Sequence, residues 1–200
     1  MAIYLVRHAP TEANRSGFVL GTQDSPLAEG GADLLRLMIA ALSASGIERI
    51  YSSPLGRALA TARIISEEIA VPLVILPGLT ELSAGNLEGR RRSEVLPQGG
   101  ALRGGSYDRP GGGESYSDAV PRVTAALKAI YGQNADGSLL VVAHSVVNRI
   151  LLALFLNRPI EEFIPFTQPH EVILSLGTDG AVFCRDIVKW GAKRMSLSRI

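Results

Sequence analysis

Several features that would place the chain in a specialised class are missing or scarce. Cys184 is the one cysteine among 200 residues, so no internal disulfide is expected and a reducing compartment is favoured. The formal net charge is +1, without a long run of one sign, which argues against a nucleic-acid partner. The longest apolar run, residues 150–156, is far shorter than the roughly 20 residues that cross a bilayer. We therefore expect a cytoplasmic protein that binds neither membranes nor nucleic acids.

What the sequence does contain is the composition of an ordinary globular domain. Hydrophobic residues make up 46% of the chain and charged residues 20%, and this length is enough for one sizeable core. We therefore expect a single domain over residues 1–200. Its first strand is predicted to begin almost at Met1, so we expect no secretory leader. The sequence does not predict an oligomeric state.

Apolar runs and helical periodicity alternate along most of the chain. The predicted strands cover residues 3–6, 47–52, 73–76, 139–143, 171–176 and 181–188. Helices are predicted in between, and the last two strands are expected to pair as a hairpin. Ser117 is the predicted N-cap of the helix that contains Pro121, since this cap keeps proline in the first turn. The pattern predicts an α/β fold, with three α/β/α layers around a largely parallel sheet.

Residues 83–113 interrupt this pattern with a segment that is rich in glycine and arginine. Long loops inside a compact domain are usually functional or disordered, so we interpret the segment as an insertion that is either a lid or a mobile excursion. As a lid it would cover an anionic substrate. Arg90, within the run 90–92, and Tyr107, the segment's one aromatic residue, are the predicted substrate contacts.

Polar side chains follow four of the predicted strands closely. Arg7 and His8 follow the first strand, Arg57 the second, Glu81 the third and His144 the fourth. The carboxyl ends of parallel strands meet at one edge of a sheet, where ligands bind. Arginines supply donors for an anion, a histidine supplies a nucleophilic nitrogen, and a carboxyl group moves a proton. The combination is suited to phosphoryl transfer.

The remaining polar residues have simpler interpretations. His170 carries no motif, and we interpret it as a structural or surface residue. A zinc site built from the three histidines is disfavoured, because no local His or Cys spacing supports it. Cys184 has no basic neighbour that would make it a nucleophile. We therefore predict neither a metal nor another cofactor.

The motifs around these residues resemble those of the histidine phosphatase superfamily, the phosphoglycerate mutase-like fold, over nearly the whole chain. The matching segments are Arg7–Asn14, Gly21–Leu27, Ser52–Ala62, Glu81–Gly89, Pro110–Ser115 and the segment around His144. Two departures from the family pattern lie beside the histidines: Ala9 and Ser145 each stand where the family usually has glycine.

The resemblance implies a role for each matched residue. His8 would attack phosphorus and carry the phosphoryl group, and Glu81 would move the proton of the leaving group. Arg7, Arg57 and His144 would bind the phosphoryl oxygens.

The matched motifs also imply further contacts to the phosphate. These contacts would come from Thr11, Asn14, Gly21 and Ser145.

Three functions remain open at this point. The first is a metal-independent phosphatase that hydrolyses a small phosphorylated metabolite, the second a phosphoglycerate mutase, and the third a catalytically silent protein that binds a phosphorylated ligand. The candidate substrates are sugar phosphates, ribazole phosphate and nucleotide-derived esters.

Overall fold

One mixed sheet forms the centre of the molecule, seen in a computed structural model that describes residues 2–96, 98–132, 137–177 and 180–189, with the backbone of 191–194. The strands are β1 Ala2–Arg7, β2 Ile47–Ser52, β3 Leu73–Ile75, β4 Ser138–Ala143, β5 Val172–Gly177, β6 Val182–Asp186 and β7 Gly191–Arg194. Their order across the sheet is β3-β2-β4-β1-β5-β6-β7.

Strand direction divides the sheet into two parts. Strands β1 to β4 are parallel to one another, whereas β5 is antiparallel to β1 and continues into the antiparallel pairs β5–β6 and β6–β7. The predicted hairpin is confirmed by the β5–β6 pairing, although its turn residues Thr178 and Asp179 lie outside the described residues. The sequence did not predict β7.

Helices cover both faces of the sheet. They are α1 Glu12–Arg15, α2 Gly31–Leu42, α3 Gly56–Ile69, α4 Arg92–Val95, α5 Tyr116–Gly132 and α6 Ser145–Leu156. None of the helices in the described part of the chain is long and apolar enough to cross a membrane.

Alternation along the central strands supplies both layers with apolar side chains, because successive residues point to opposite faces. Leu5 of β1 and Val141 of β4 belong to the core that α5 and α6 cover. Val6 and Val142, their sequence neighbours, belong to the core under α2 and α3. The predicted three-layer α/β/α fold is therefore confirmed.

Helix α5 begins earlier than the sequence predicted. Ser115 caps it, since the Ser115 hydroxyl accepts from the Asp118 amide at 3.2 Å and an Asp118 carboxylate oxygen accepts from the Ser115 amide at 2.9 Å. The predicted cap, Ser117, is wrong, and Pro121 lies inside the helix rather than in its first turn. Ser117 instead holds the preceding loop: its amide and its hydroxyl donate to the Ser106 carbonyl at 3.0 and 3.1 Å.

The insertion over residues 83–113 is hydrogen bonded at its base. Arg103, which is 4% exposed, donates to the carbonyl oxygens of Ser83 at 2.5 Å and Glu114 at 2.8 Å. The Glu114 amide also donates to the Ser83 carbonyl at 2.9 Å. A β-carbon on Gly85 would overlap the carbonyl oxygen of Gly111, so glycine is required at this close approach. The two ends of the insertion are thus tied together.

Candidate active site

The ends of β1 to β4 and the segments that follow them enclose a cleft of about 470 Å³. The predicted site residues that line it are Arg7, His8, Asn14, Gly21, Arg57, Glu81 and Ser145. His144 is fully buried next to them, with its ring centroid 5.2 Å from that of His8. The structure therefore brings together all five of the residues that the sequence predicted as catalytic.

The backbone selects the tautomer of His8. Its Nδ1 lies 2.8 Å from the carbonyl oxygen of Ala9, and because a carbonyl can only accept, Nδ1 must carry the hydrogen. The lone pair is then on Nε2, which accepts from Nε of Arg57 at 3.3 Å. The His8 amide also donates to the Ala143 carbonyl at 3.0 Å, which extends the β1–β4 pairing by one residue. The ring is thereby held with its nucleophilic nitrogen toward a guanidinium.

The surroundings of His8 keep this ring neutral. Burial is the largest cause that lowers the His8 pKa well below 6.5, and the nearby His144, Arg7 and Arg57 lower it further. Burial likewise lowers the pKa of His144. A neutral imidazole, with a lone pair on one ring nitrogen, is the form that attacks an electrophile.

Arg57 is fixed by the loop that follows α1. Its terminal nitrogens donate to the carbonyl oxygens of Gly21 at 2.8 Å and Gln23 at 2.5 Å, and it forms an ion pair with Asp24 at 3.3 Å. Asp24 also accepts from the backbone amides of Gly56 and Arg57 at the start of α3. The matched motif at Gly21–Leu27 thus has a physical function here, since it orients the Arg57 guanidinium.

Arg7 is charged and has an unused donor. Burial lowers its pKa from the usual arginine value to about 10, so it is still protonated at neutral pH. One terminal nitrogen donates to the Gln168 carbonyl at 3.3 Å, whereas its buried Nε has no partner within the described chain. The same holds for Nδ1 of His144 and the hydroxyl of Ser145. Unpaired buried polar atoms are unfavourable, and an anion in the cleft would satisfy them.

The Glu81 carboxylate lies beside the first turn of α6. One of its oxygens accepts from the Leu82 amide at 3.0 Å and the other from the Val146 amide at 3.4 Å. Glu81 and His8 line the same cleft. The Glu81 carboxylate can therefore exchange a proton with a ligand held there.

His170, which the sequence predicted as a structural or surface residue, also lines the cleft. Its Nδ1 donates to the carbonyl oxygen of His8 at 2.6 Å, and the two ring centroids are 5.2 Å apart. Burial and the charge of Arg7 lower the His170 pKa to about 4. Sequence reasoning missed it because β5 is antiparallel, so that residues just before this strand reach the edge where the other strands end.

Three residues that the sequence predicted as ligand contacts lie outside the cleft. Thr11 is fully buried and caps α1: its hydroxyl accepts from the Asn14 amide at 3.2 Å, and the Asn14 side chain accepts from the Thr11 amide at 3.2 Å. Arg90 is exposed, and Tyr107 is 81% exposed. The local pattern identified an arginine-rich run, but only Arg92 of that run lines the cleft.

Two buried arginines in the cleft wall were not predicted. Arg103 comes from the insertion and Arg149 from α6, and they are 4% and 8% exposed. Thr167, from the segment before β5, lies beside them. A signal for Arg149 was present in the sequence, since a charged residue within the apolar helix 146–156 has to be satisfied by a partner or a ligand.

Comparisons with known proteins identify the family of the chain. The family described as the histidine phosphatase superfamily, branch 1, matches residues 3–187. The probable phosphoglycerate mutase GpmB of Serratia proteamaculans is 33% identical over 164 residues, which are 80% of this chain and 76% of that protein.

Solved structures share the same architecture. YhfR of Bacillus stearothermophilus aligns with a TM-score of 0.76 at 28% identity, over 90% of this chain and 92% of that one. A putative alpha-ribazole-5'-P phosphatase of Escherichia coli aligns with a TM-score of 0.76 at 24% identity, over 88% and 90% of the two chains. The fold is the phosphoglycerate mutase-like fold. The chain belongs to the histidine phosphatase superfamily.

Proposed function

We propose that the protein is a phosphatase that hydrolyses small phosphate monoesters through a phosphohistidine on His8, without a metal or another cofactor. The observation that carries the proposal is the His8 tautomer. Its lone pair is on Nε2, which accepts from Nε of Arg57 in this structure, and His8 lines a cleft where Arg7, Arg57 and the neighbouring His144 offer donors to a phosphoryl group. Fixed donors that meet the charge of the phosphoryl oxygens are the main requirement of this reaction.

The reaction would proceed in two steps. In the first, Nε2 of His8 forms a bond to phosphorus while the bond to the ester oxygen breaks, and Glu81 protonates that oxygen so that it leaves as an alcohol. In the second, Glu81 takes a proton from water, the water oxygen bonds to phosphorus, and the bond to Nε2 breaks. Phosphate is released, and His8 is regenerated in its neutral form. Arg7 and Arg57 hold the phosphoryl oxygens in both steps.

Removal of the nucleophile tests the proposal most directly. His8→Ala should abolish both the release of phosphate and the acid-labile phosphoenzyme, because no other route passes through a covalent intermediate. Turnover of p-nitrophenyl phosphate and trapping of a radiolabelled phosphoenzyme measure the two effects, with a chelator present to silence contaminating metal-dependent phosphatases. A circular dichroism spectrum checks that the variant folds. An alanine variant that turns over at nearly the wild-type rate contradicts the proposal.

A mutase is the second candidate, because the relative from Serratia is named a probable phosphoglycerate mutase. A mutase returns the phosphoryl group to a substrate hydroxyl instead of transferring it to water. Incubation with 3-phosphoglycerate, followed by phosphorus NMR, separates the two reactions: free phosphate supports the phosphatase, and 2-phosphoglycerate supports the mutase. A silent binding protein gives neither product.

The partner we propose is a small phosphorylated metabolite. Sugar phosphates, ribazole phosphate and nucleotide-derived esters are all included, and a panel of such esters ranks them by kcat/KM. The cytoplasmic location and the lack of a nucleic-acid partner stay predictions.

A further inference from the structure

Ser53 is a fully buried serine that follows directly after β2. Strand β2 is parallel to β4, with Ser52 opposite Val142, and the Ser53 amide donates to the Val142 carbonyl at 3.1 Å. This hydrogen bond extends the strand pairing by one residue past the end of β2. The Ser53 hydroxyl lies 2.8 Å from Nε2 of His144. Ser53 therefore contacts a histidine of the active site directly.

The hydrogen bonds of the Ser53 hydroxyl determine its direction. Its oxygen accepts from the Leu55 amide at 3.3 Å. Its hydrogen has one acceptor within reach among the described residues, and this acceptor is Nε2 of His144. A buried hydroxyl hydrogen without an acceptor is unfavourable. The hydroxyl therefore donates to Nε2, and Nε2 carries the lone pair of the ring.

This assignment decides what the other ring nitrogen of His144 offers to a ligand. Burial is the largest cause that lowers the His144 pKa well below 6.5, and Arg57 and Arg7 lower it further, so the ring is neutral and carries one hydrogen. With the lone pair on Nε2, that hydrogen is on Nδ1. Nδ1 is buried and has no partner within the described chain. It is therefore a donor that an anion beside the ring would satisfy.

The opposite tautomer of His144 would be unfavourable at both nitrogens. With the hydrogen on Nε2, the Ser53 oxygen would accept twice, and its own hydrogen would have no acceptor in the described part of the chain. Nδ1 would then present a lone pair, which repels the oxygens of a phosphoryl group. The Nδ1–H form satisfies the serine and can also bind a phosphoryl oxygen.

We propose that Ser53 is a positioning residue of the active site: its hydroxyl donates to Nε2 of His144, fixes that ring as the Nδ1–H tautomer and makes it a neutral donor to the phosphoryl group. The phosphoryl group as the ligand rests on the proposed phosphatase function, whereas the tautomer does not. His8 and His144 are then the same tautomer with opposite roles. The protein covers Nδ1 of His8 with the Ala9 carbonyl and Nε2 of His144 with the Ser53 hydroxyl.

Nitrogen NMR of the histidine rings tests the tautomer without any ligand. The chain has three histidines, so tag-free protein labelled with ¹⁵N-histidine gives three ring systems, and the one that is lost in His144→Gln belongs to His144. At pH 7 its signals should show a hydrogen on Nδ1 and a lone pair on Nε2. A wild-type spectrum with a hydrogen on Nε2, or on both nitrogens, overturns the proposal.

Serine variants assign the tautomer to Ser53. Ser53→Ala should remove the preference for Nδ1–H in the same spectrum. Ser52→Ala is the matched control and should retain the preference, because the Ser52 hydroxyl is also fully buried but donates to the Ser53 carbonyl at 2.9 Å. A circular dichroism spectrum checks that both variants fold. His144 signals that are the same in Ser53→Ala as in the wild type overturn the proposal.

A double-mutant cycle separates positioning from a purely structural effect. Ser53→Ala should lower kcat/KM for p-nitrophenyl phosphate about tenfold or more, as expected for the loss of a hydrogen bond to a charged group. In the His144→Gln background the same change should cost less than about twofold, because Ser53 acts through that ring. Equal losses in the two backgrounds overturn the proposal.

Binding of inorganic phosphate distinguishes a failure of this proposal from a failure of the phosphatase. By calorimetry, Ser53→Ala should raise the Kd for phosphate about tenfold, and it should leave the Kd unchanged in the His144→Gln background. A protein that makes no phosphoenzyme but shows this pattern refutes the phosphatase and supports the role of Ser53. A protein that forms the phosphoenzyme but binds phosphate equally well without the serine hydroxyl supports the phosphatase and overturns the role of Ser53.

Discussion

At the level of single residues, the chemistry of the site depends on which nitrogen of His8 carries the hydrogen. The Ala9 carbonyl fixes that hydrogen on Nδ1. Burial and the surrounding positive charges then keep the ring neutral, since they disfavour a further proton. Ala9, which replaces the usual glycine, is itself fully buried, and its amide donates to the Thr61 hydroxyl at 2.9 Å. Alanine therefore fits at this position beside the nucleophile, where the family usually has glycine.

Glu81→Gln should affect substrates according to their leaving groups. Esters with alkoxide leaving groups need a proton in the transition state, so their kcat/KM should fall on the order of 100-fold or more, whereas p-nitrophenyl phosphate should lose far less. Glutamine retains one of the two oxygens that accept from backbone amides at this position, and a circular dichroism spectrum checks that the variant folds. Steady-state kinetics on the two substrates provide the measurement. An equal loss on both would assign the proton transfer to another group.

At the level of elements, a buried amide pair joins the strand that carries His8 to its neighbours. The Asn148 side chain of α6 donates to the Val6 carbonyl at 3.2 Å and to the Gln168 side chain at 2.7 Å. Gln168 in turn donates to the carbonyl oxygens of Leu5 at 3.0 Å and Val172 at 2.9 Å. Both amides are fully buried. They fix the end of β1, and hence His8, relative to α6 and β5.

The arginine run of the insertion should divide into residues with different effects. Arg92 lines the cleft, Arg91 lies over the Phe18 ring at 4.9 Å from its centroid, and Arg90 is exposed. Arg92→Ser should therefore raise KM for multiply charged esters several-fold by loss of ground-state binding. Arg90→Ser, the matched control, should leave KM at the wild-type value. Titration of initial rates against substrate concentration measures both, and equal effects of the two changes would show that the run acts only through its total charge.

At the level of the whole molecule, all three histidines of the chain link folding to pH. Their pKa values are lowered from 6.5, to about 4 for His170 and well below 6.5 for His8 and His144, with burial as the first cause. Below pH 6.5 the unfolded chain binds protons that the folded chain does not. The free energy of unfolding should therefore fall as the pH is lowered from 7 toward 4. The lowered pKa values of Glu88 and Asp118 act in the same direction at more acidic pH.

His170→Asn isolates one part of this dependence. A shift from 6.5 to about 4 corresponds to about 2 kcal/mol of stability lost by the wild type between pH 7 and pH 4.5. The asparagine variant should lose correspondingly less, whatever its stability at pH 7. Urea unfolding at a series of pH values gives both curves. Parallel curves would mean that His170 titrates normally in the folded protein.

The sequence by itself determined the fold class and the residues at the centre of the site. Apolar runs predicted the buried parallel strands, and parallel strands must end at one edge, so Arg7, His8, Arg57, Glu81 and His144 could be brought together without a structure. The family resemblance, now shown by the match over residues 3–187, supported the same residues.

Only the tertiary structure decided which other residues line the active-site cleft. His170 reaches the cleft because β5 reverses direction, and Arg103 and Arg149 line the same cleft because the insertion and α6 meet there. Arg90 and Tyr107, which belong to the same insertion, are exposed to solvent. Local pattern cannot predict such contacts, because the direction of a loop and the partner of a buried charge depend on packing between segments that are distant in the sequence.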